Sequence, residues 1–200
     1  MSGKQRFAKF MIKLLGWKVM DGEVPEPKCI ILGVPHTSIK DFIISWFFYT
    51  SVGGTANIMI KKEFFFWPLG PILRGMGAVP VDRSHGAISA KQIIETVQKA
   101  KKMHLAIAPE GTRKKTAKWK TGFHTIARAC DMPIYLGYFD WSRKQIGRGI
   151  RFMPTENAQE DLKKIRAHYK AMNMEGCHPG HFDCGDVEPK LIEENDKEIN

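Results

Sequence analysis

The sequence is poor in uninterrupted apolar stretches. Its longest greasy run, Phe42 to Tyr49, is broken by Ser45, against the roughly 20 residues a membrane-spanning helix needs. The first residues show neither the apolar core nor the small-residue cleavage site of a secretory signal. Cysteine is scarce: Cys29, Cys130, Cys177 and Cys184 are the only four in 200 residues. That is a weak disulfide framework at this length, so reduced thiols in a cytoplasmic setting are expected. Internal repeats and low-complexity linkers are absent, as are helix-turn-helix, RNP and zinc-finger patterns. The chain is therefore expected to bind no nucleic acid, although its charge would allow it.

Acidic residues are also under-represented. Twenty-one Asp and Glu stand against 31 Lys and Arg, a formal charge of +10, which points to an anionic partner such as a lipid headgroup surface or a phosphorylated substrate. The balance is uneven. Residues 185–200 hold six acids and two lysines and form an acidic tail, expected to be loose. Residues 1–20 carry Lys4, Arg6, Lys9, Lys13 and Lys18 without an acid. Phe7, Phe10, Met11, Leu14 and Leu15 recur among them at helical spacing, which predicts a basic amphipathic helix able to lie on an anionic membrane. Docking of that helix on the protein core explains the pattern as well.

What remains, residues 21–184, is long enough for one domain with a full core. Short apolar runs alternate with helical patterns. Strands are expected at Cys29–Leu32, Ala56–Ile60, Ala78–Val81, Leu105–Ala108, Ile134–Phe139 and Ile150–Met153. Helices are expected at Ile39–Thr50, Ile88–Met103, Thr121–Cys130 and 157–172, with Phe64–Arg74 helical in part. The alternation predicts an α/β fold, a mostly parallel sheet flanked by helices.

Two short segments carry chemistry. The first is His36-Thr37-Ser38-Ile39-Lys40-Asp41. On one continuous helix His36 and Asp41 would sit about 140° apart. However, Ser38 to Asp41 fits a helix-start pattern, which leaves His36 in the preceding turn, free to fold back toward the carboxylate. A carboxylate there would fix the imidazole tautomer and stabilise an imidazolium. On spacing alone, Asp41 reads equally as a helix cap and His36 as a loop histidine. The second segment, Pro109-Glu110-Gly111-Thr112-Arg113, directly follows a strand, where open α/β sheets place their ligand sites. Gly111 admits close backbone approach, and Thr112 and Arg113 offer a hydroxyl and a donor fork suited to phosphate. A turn with a solvated arginine is the plainer alternative.

Taken in order, these segments resemble the glycerophospholipid acyltransferase family, whose bacterial type member acylates 1-acyl-glycerol-3-phosphate. Its first block, a His, four residues and an Asp, is matched by His36 and Asp41. Its second is matched by Gly77 through Arg83, with Lys61 standing for a lysine upstream. Its third, Phe-Pro-Glu-Gly-Thr-Arg, is matched by Ala108 through Arg113, and its proline-led fourth by Met132 through Leu136. Lys120-Thr121-Gly122 is similar to the lysine-glycine step after the third block. The chain departs from the pattern at Pro35, where Asn is usual, and at Ala108, where an aromatic is.

The resemblance implies a glycerol-3-phosphate acyltransferase-like fold with His36 as general base and Asp41 behind it. It further implies an acceptor pocket drawing on Lys61, Arg83, Glu110, Gly111, Thr112 and Arg113. The acyl donor would be a thioester of coenzyme A or acyl carrier protein, the acceptor a lysophospholipid and the location the cytoplasmic face of the membrane, with no other cofactor. A relative that binds lipid without catalysis is the alternative. Cys177, His178, His181 and Cys184 have metal-ligand chemistry, but their packing around Pro179-Gly180 does not match paired zinc-site spacing, and no metal is expected.

Overall fold

The alternating pattern resolves, in a computed structural model that describes residues 1–81 and 90–193, into two sheets and six α-helices. In chain order these are α1 (Gly3–Leu14), β1 (Lys18–Val19), β2 (Lys28–Leu32), α2 (Ile39–Ser51), β3 (Ala56–Lys61), α3 (Leu69–Gly75), β4 (Ala78–Val81), α4 (Ala90–Lys99), β5 (Met103–Ile107), α5 (Gly122–Ala129), β6 (Ile134–Tyr135), β7 (Tyr138–Asp140), β8 (Gln145–Gly147), β9 (Arg151–Phe152) and α6 (Ala158–Met172), with a 3₁₀ turn at Lys62–Phe64. The main sheet runs β4-β3-β5-β2-β6-β9, parallel except for β9. The second sheet, β1-β8-β7, lies beside it.

β2 shows why the sheet is buried on both faces. Cys29 and Ile31 point into one core with Ile12 of α1 and Ile44 and Phe48 of α2. Ile30 and Leu32 point into the other, with Val97 of α4, Phe123 of α5 and Ile165 of α6. A strand covered on both sides reads as a continuous apolar run rather than an alternating one. Each such side chain contributes roughly 1.5–3 kcal/mol when fully buried, and the two cores fix β2 at the centre of the molecule.

Three expectations are corrected in detail. The run Ile134–Phe139 is not one strand: it splits into β6 in the main sheet and β7 in the small one. The change of sheet occurs at Gly137, where a Cβ would collide with the Leu32 carbonyl. The helix expected to reach Met103 ends at Lys99, and Met103 begins β5, its N–H bonded to the Pro27 carbonyl at 2.8 Å. The acidic tail is docked as far as it is described. Val187 is buried, the Lys190 N–H donates to the Ala167 carbonyl at 3.0 Å, and the Ile192 N–H donates to His168 Nδ1 at 3.1 Å. β1 and β8, two and three residues long, have too little periodicity to be read from sequence.

Candidate active site

The site follows from strand register. β2 and β5 are adjacent and parallel, paired from Lys28↔Met103 to Leu32↔Ile107, and the Gly33 N–H still donates to the Ile107 carbonyl at 2.9 Å. Both chains therefore leave the sheet at the same edge and the same level. One continues into the His36 turn and the other into the Glu110 loop. Two motifs distant in sequence become neighbours at the carboxyl end of a parallel sheet, where such folds place ligands.

α2 then aims the first motif. Ser38 is its N-cap and its Oγ accepts from the Lys40 N–H, while Asp41 completes the capping box from the third helical position. Asp41 Oδ2 accepts the Thr37 and Ser38 N–H groups, each at 2.7 Å. The same oxygen lies 3.7 Å from His36 Nδ1. That separation is within ion-pair range but longer than a hydrogen bond; such contacts are often long before substrate binds. Asp41 thus caps α2 and faces the His36 imidazole at once. Its second oxygen, Oδ1, accepts the Trp141 indole N–H at 2.9 Å.

The second motif is built against the first. Glu110 is 6% exposed, and its Oε2 accepts the His36 backbone N–H at 2.7 Å. Gly111 adopts φ +65°, and a Cβ there would lie 2.9 Å from Lys120 Cε, so the lysine side chain passes across the glycine. The Lys120 N–H closes the loop on the Pro109 carbonyl at 2.8 Å. Thr112 Oγ1 accepts from the Lys114 N–H at 3.2 Å, and Arg113 is exposed. Lys61 ends β3 on the same sheet, and Arg83 lies outside the described residues.

The electrostatics follow from burial. Desolvation lowers the His36 pKa, the Arg113 charge adds to that, and Asp41 opposes it, which leaves a neutral imidazole near pH 7. Burial pushes the Asp41 carboxyl up, countered by the two backbone donors, the Trp141 indole and His36. Glu110 is pushed up to about 8 by burial, with the nearby Asp41 charge adding to it and the His36 N–H opposing it.

Beside the pair lies a largely apolar cavity of about 180 Å³ between α2 and the sheet. Its lining runs from His36 and Asp41 past Phe48 and Ile58 to Met76 and Lys4. Away from this site, Cys184 is buried in the core, and the His178 and His181 rings lie tilted to each other with centroids 5.6 Å apart. Among the described residues no group of three His, Cys, Asp or Glu side chains is placed to hold a metal ion.

Sequence reasoning did not single out Trp141, nor Glu110 as the acceptor for the His36 N–H. The first lies a hundred residues from its partner, and the second is a contact to backbone, which no side-chain pattern announces.

A histidine thus faces a buried carboxylate beside an apolar cavity at the carboxyl end of the sheet. Residues 19–136 match the family described as Acyltransferase, and the chain belongs to that family. No curated protein matches the chain significantly. Among solved structures the fold is similar to that of the 1-acyl-sn-glycerophosphate (LPA) acyltransferase PlsC from Thermotoga maritima. The TM-score is 0.56 at 16% identity, over 80% of this chain and 73% of that one.

Proposed function

We propose that this acyltransferase moves a fatty acyl group from a coenzyme A or acyl-carrier-protein thioester to the hydroxyl of a lysophospholipid, 1-acyl-glycerol-3-phosphate or a related lysolipid. The observation that carries the reading is the His36–Asp41 pair at the mouth of an apolar cavity. With Nδ1 turned toward Asp41, Nε2 is the nitrogen free to take the acceptor's proton. The acceptor oxygen then attacks the thioester carbonyl. Collapse of the tetrahedral intermediate breaks the C–S bond, and the departing thiolate receives the proton from His36. The cavity between α2 and the sheet would hold the acyl chain. Arg113 and Lys120 flank Gly111 on the exposed side of the loop, where an acceptor phosphate would meet a forked donor and an ammonium.

The surface suits a substrate that resides in a membrane. Phe7, Phe10 and Leu14 of α1 are exposed, as are Phe64, Phe66, Ile72 and Trp67, the last at 84%. Lys4 ties the start of α1 to the end of α3 through the Gly75 carbonyl at 2.6 Å. Described helices include none long and apolar enough to cross a membrane. Peripheral attachment at an anionic, cytoplasmic face fits both the exposed apolar side chains and the basic residues of α1.

The test is acceptor-dependent thiol release. Purified protein with an acyl thioester should release free thiol when a lysolipid is added, and His36→Ala should lower the rate by about 10²–10⁴. No acceptor-dependent release across a panel of lysolipids, or near-normal turnover by His36→Ala, would overturn the reading.

A further inference from the structure

Asp41 is almost fully buried, at 1% exposure, and its two oxygens have separate duties. Oδ2 serves the His36 turn through the Thr37 and Ser38 N–H groups and faces the imidazole. Oδ1 has the Trp141 indole N–H, at 2.9 Å. A buried carboxylate oxygen without a donor is costly, so a fixed donor at Oδ1 both keeps the group ionised and stops the carboxyl plane from rotating.

The indole is itself held on several sides. Trp17 packs edge-on against it, centroids 5.0 Å apart and planes at 87°. The Trp141 backbone N–H donates to the Glu175 carbonyl at 3.0 Å. The segment around Glu175 is then pinned to the dyad's own turn. Gly176 lies so close to Thr37 that a Cβ would come within 2.5 Å of its methyl, and the His178 N–H donates to Thr37 Oγ1 at 3.2 Å. Asp140, one residue before the tryptophan, is paired with Arg143 at 2.7 Å, and Arg143 also reaches the carbonyls of Met172 and Asn173. Trp141, Arg143 and the Glu175–His178 segment lie beyond residue 136, where the match to the family ends.

We propose that Trp141 is a positioning residue for catalysis, its indole N–H holding the Asp41 carboxylate ionised and aligned on His36. This rests on the reading of His36 as general base. The strap from Met174 to His178 serves the same end by closing over the turn that carries His36 and by holding the tryptophan backbone.

The test compares Trp141→Phe, which keeps an aromatic ring against Trp17 but removes the donor, with wild type in the thiol-release assay. The expected loss is roughly tenfold or more in kcat, the scale of one hydrogen bond to a charged group, with KM for donor and acceptor changed less than about twofold. The acid limb of kcat/KM should move to higher pH. An Asp41 without its donor protonates more readily, and while ionised it holds the imidazolium more strongly. Arg113 and the titratable Glu110, which also face the pair, are the same in both forms. In an Asp41→Asn background Trp141→Phe should cost less than about twofold further, because its effect passes through the carboxylate.

Trp141→His keeps a ring N–H and should lose less kcat than Trp141→Phe at matched thermal stability; if the Phe variant folds poorly, Trp141→Leu takes its place as the form without a donor. Unchanged kcat and pH profile in Trp141→Phe, an equal loss in the Asp41→Asn background, or a greater loss in Trp141→His overturns the proposal. If His36→Ala keeps near-normal turnover, the base reading falls and the proposal with it. If His36→Ala is inactive while Trp141→Phe is unaffected, only the proposal falls.

Discussion

Glu110 offers the sharpest test of how the site is held. Its carboxyl is buried, bonded to the His36 N–H, and pushed up to about 8 from an ordinary 4.5. In the unfolded chain the proton leaves near 4.5; in the folded protein it stays until about 8. Between those values the folded state binds more protons, so stability must fall as pH rises and level off above the folded pKa. At about 1.36 kcal/mol per unit, the loss across that window is on the order of 3–5 kcal/mol. Glu110→Gln cannot ionise and keeps a carbonyl oxygen for the His36 N–H. It should therefore match wild type near pH 5 and exceed it near pH 9 by an amount of that order. Urea denaturation of both proteins at pH 5, 7 and 9 measures the difference directly. Glu110→Ala, by contrast, leaves the His36 N–H without its acceptor and should be about 1–3 kcal/mol less stable than Glu110→Gln at every pH. Parallel stability curves for wild type and Glu110→Gln would refute the argument, showing that water or a cation reaches this carboxylate.

Three further outcomes are expected. Because burial and Arg113 lower the His36 pKa below the ordinary 6.5, the acid limb of kcat/KM should have its midpoint below that value, with activity retained above it, where the imidazole is neutral; a midpoint well above 6.5 would show a base other than this one. Gly111→Ala combines a left-handed φ with a Cβ against Lys120, so it should raise KM for a phosphate-bearing acceptor tenfold or more while global stability falls by only about 1–2 kcal/mol; an unchanged KM would mean that the loop is not in contact with the acceptor. On vesicles rich in anionic lipid the protein should float and be partly released by high salt, and Phe10→Ser with Trp67→Ser should weaken flotation more than either alone; equal flotation by the double variant would place the membrane contact elsewhere.

Much of the architecture was legible because the central strands are covered on both faces. Cys29–Leu32 and Leu105–Ala108 read as strands from apolar content, and they fall on the observed Lys28–Leu32 and Met103–Ile107 within one or two residues. The helix start at Ser38 was legible from capping chemistry, and with it the placement of His36 outside the helix. The division of Ile134–Phe139 between two sheets was not, because the cause is a close approach of Gly137 to β2 that exists only after folding. Nor was the docking of Val187 and Ile192, since composition alone made that stretch look solvated. At the site, the sequence supplied His36, Asp41 and the Glu110–Arg113 loop. It withheld how they are joined: Glu110 bonds to backbone, and Trp141 reaches Asp41 from the far end of the chain.

The neighbouring positions of β2 and β5 divide the molecule into a fixed frame and a replaceable insert. Of the stretch between α2 and β5, the described residues build β3 and β4 outboard of β5, with α4 laid against the sheet face. That insert contributes Ala56, Ile58 and Met76 to the cavity wall but no hydrogen bond to Asp41 or to the Glu110 carboxyl among the described residues. A graft exchanging this stretch between relatives should therefore change which acyl chains are accepted while the pH profile of the host frame travels unchanged. Such a graft would separate, by simple recombination, the part of the protein that measures the chain from the part that moves the proton.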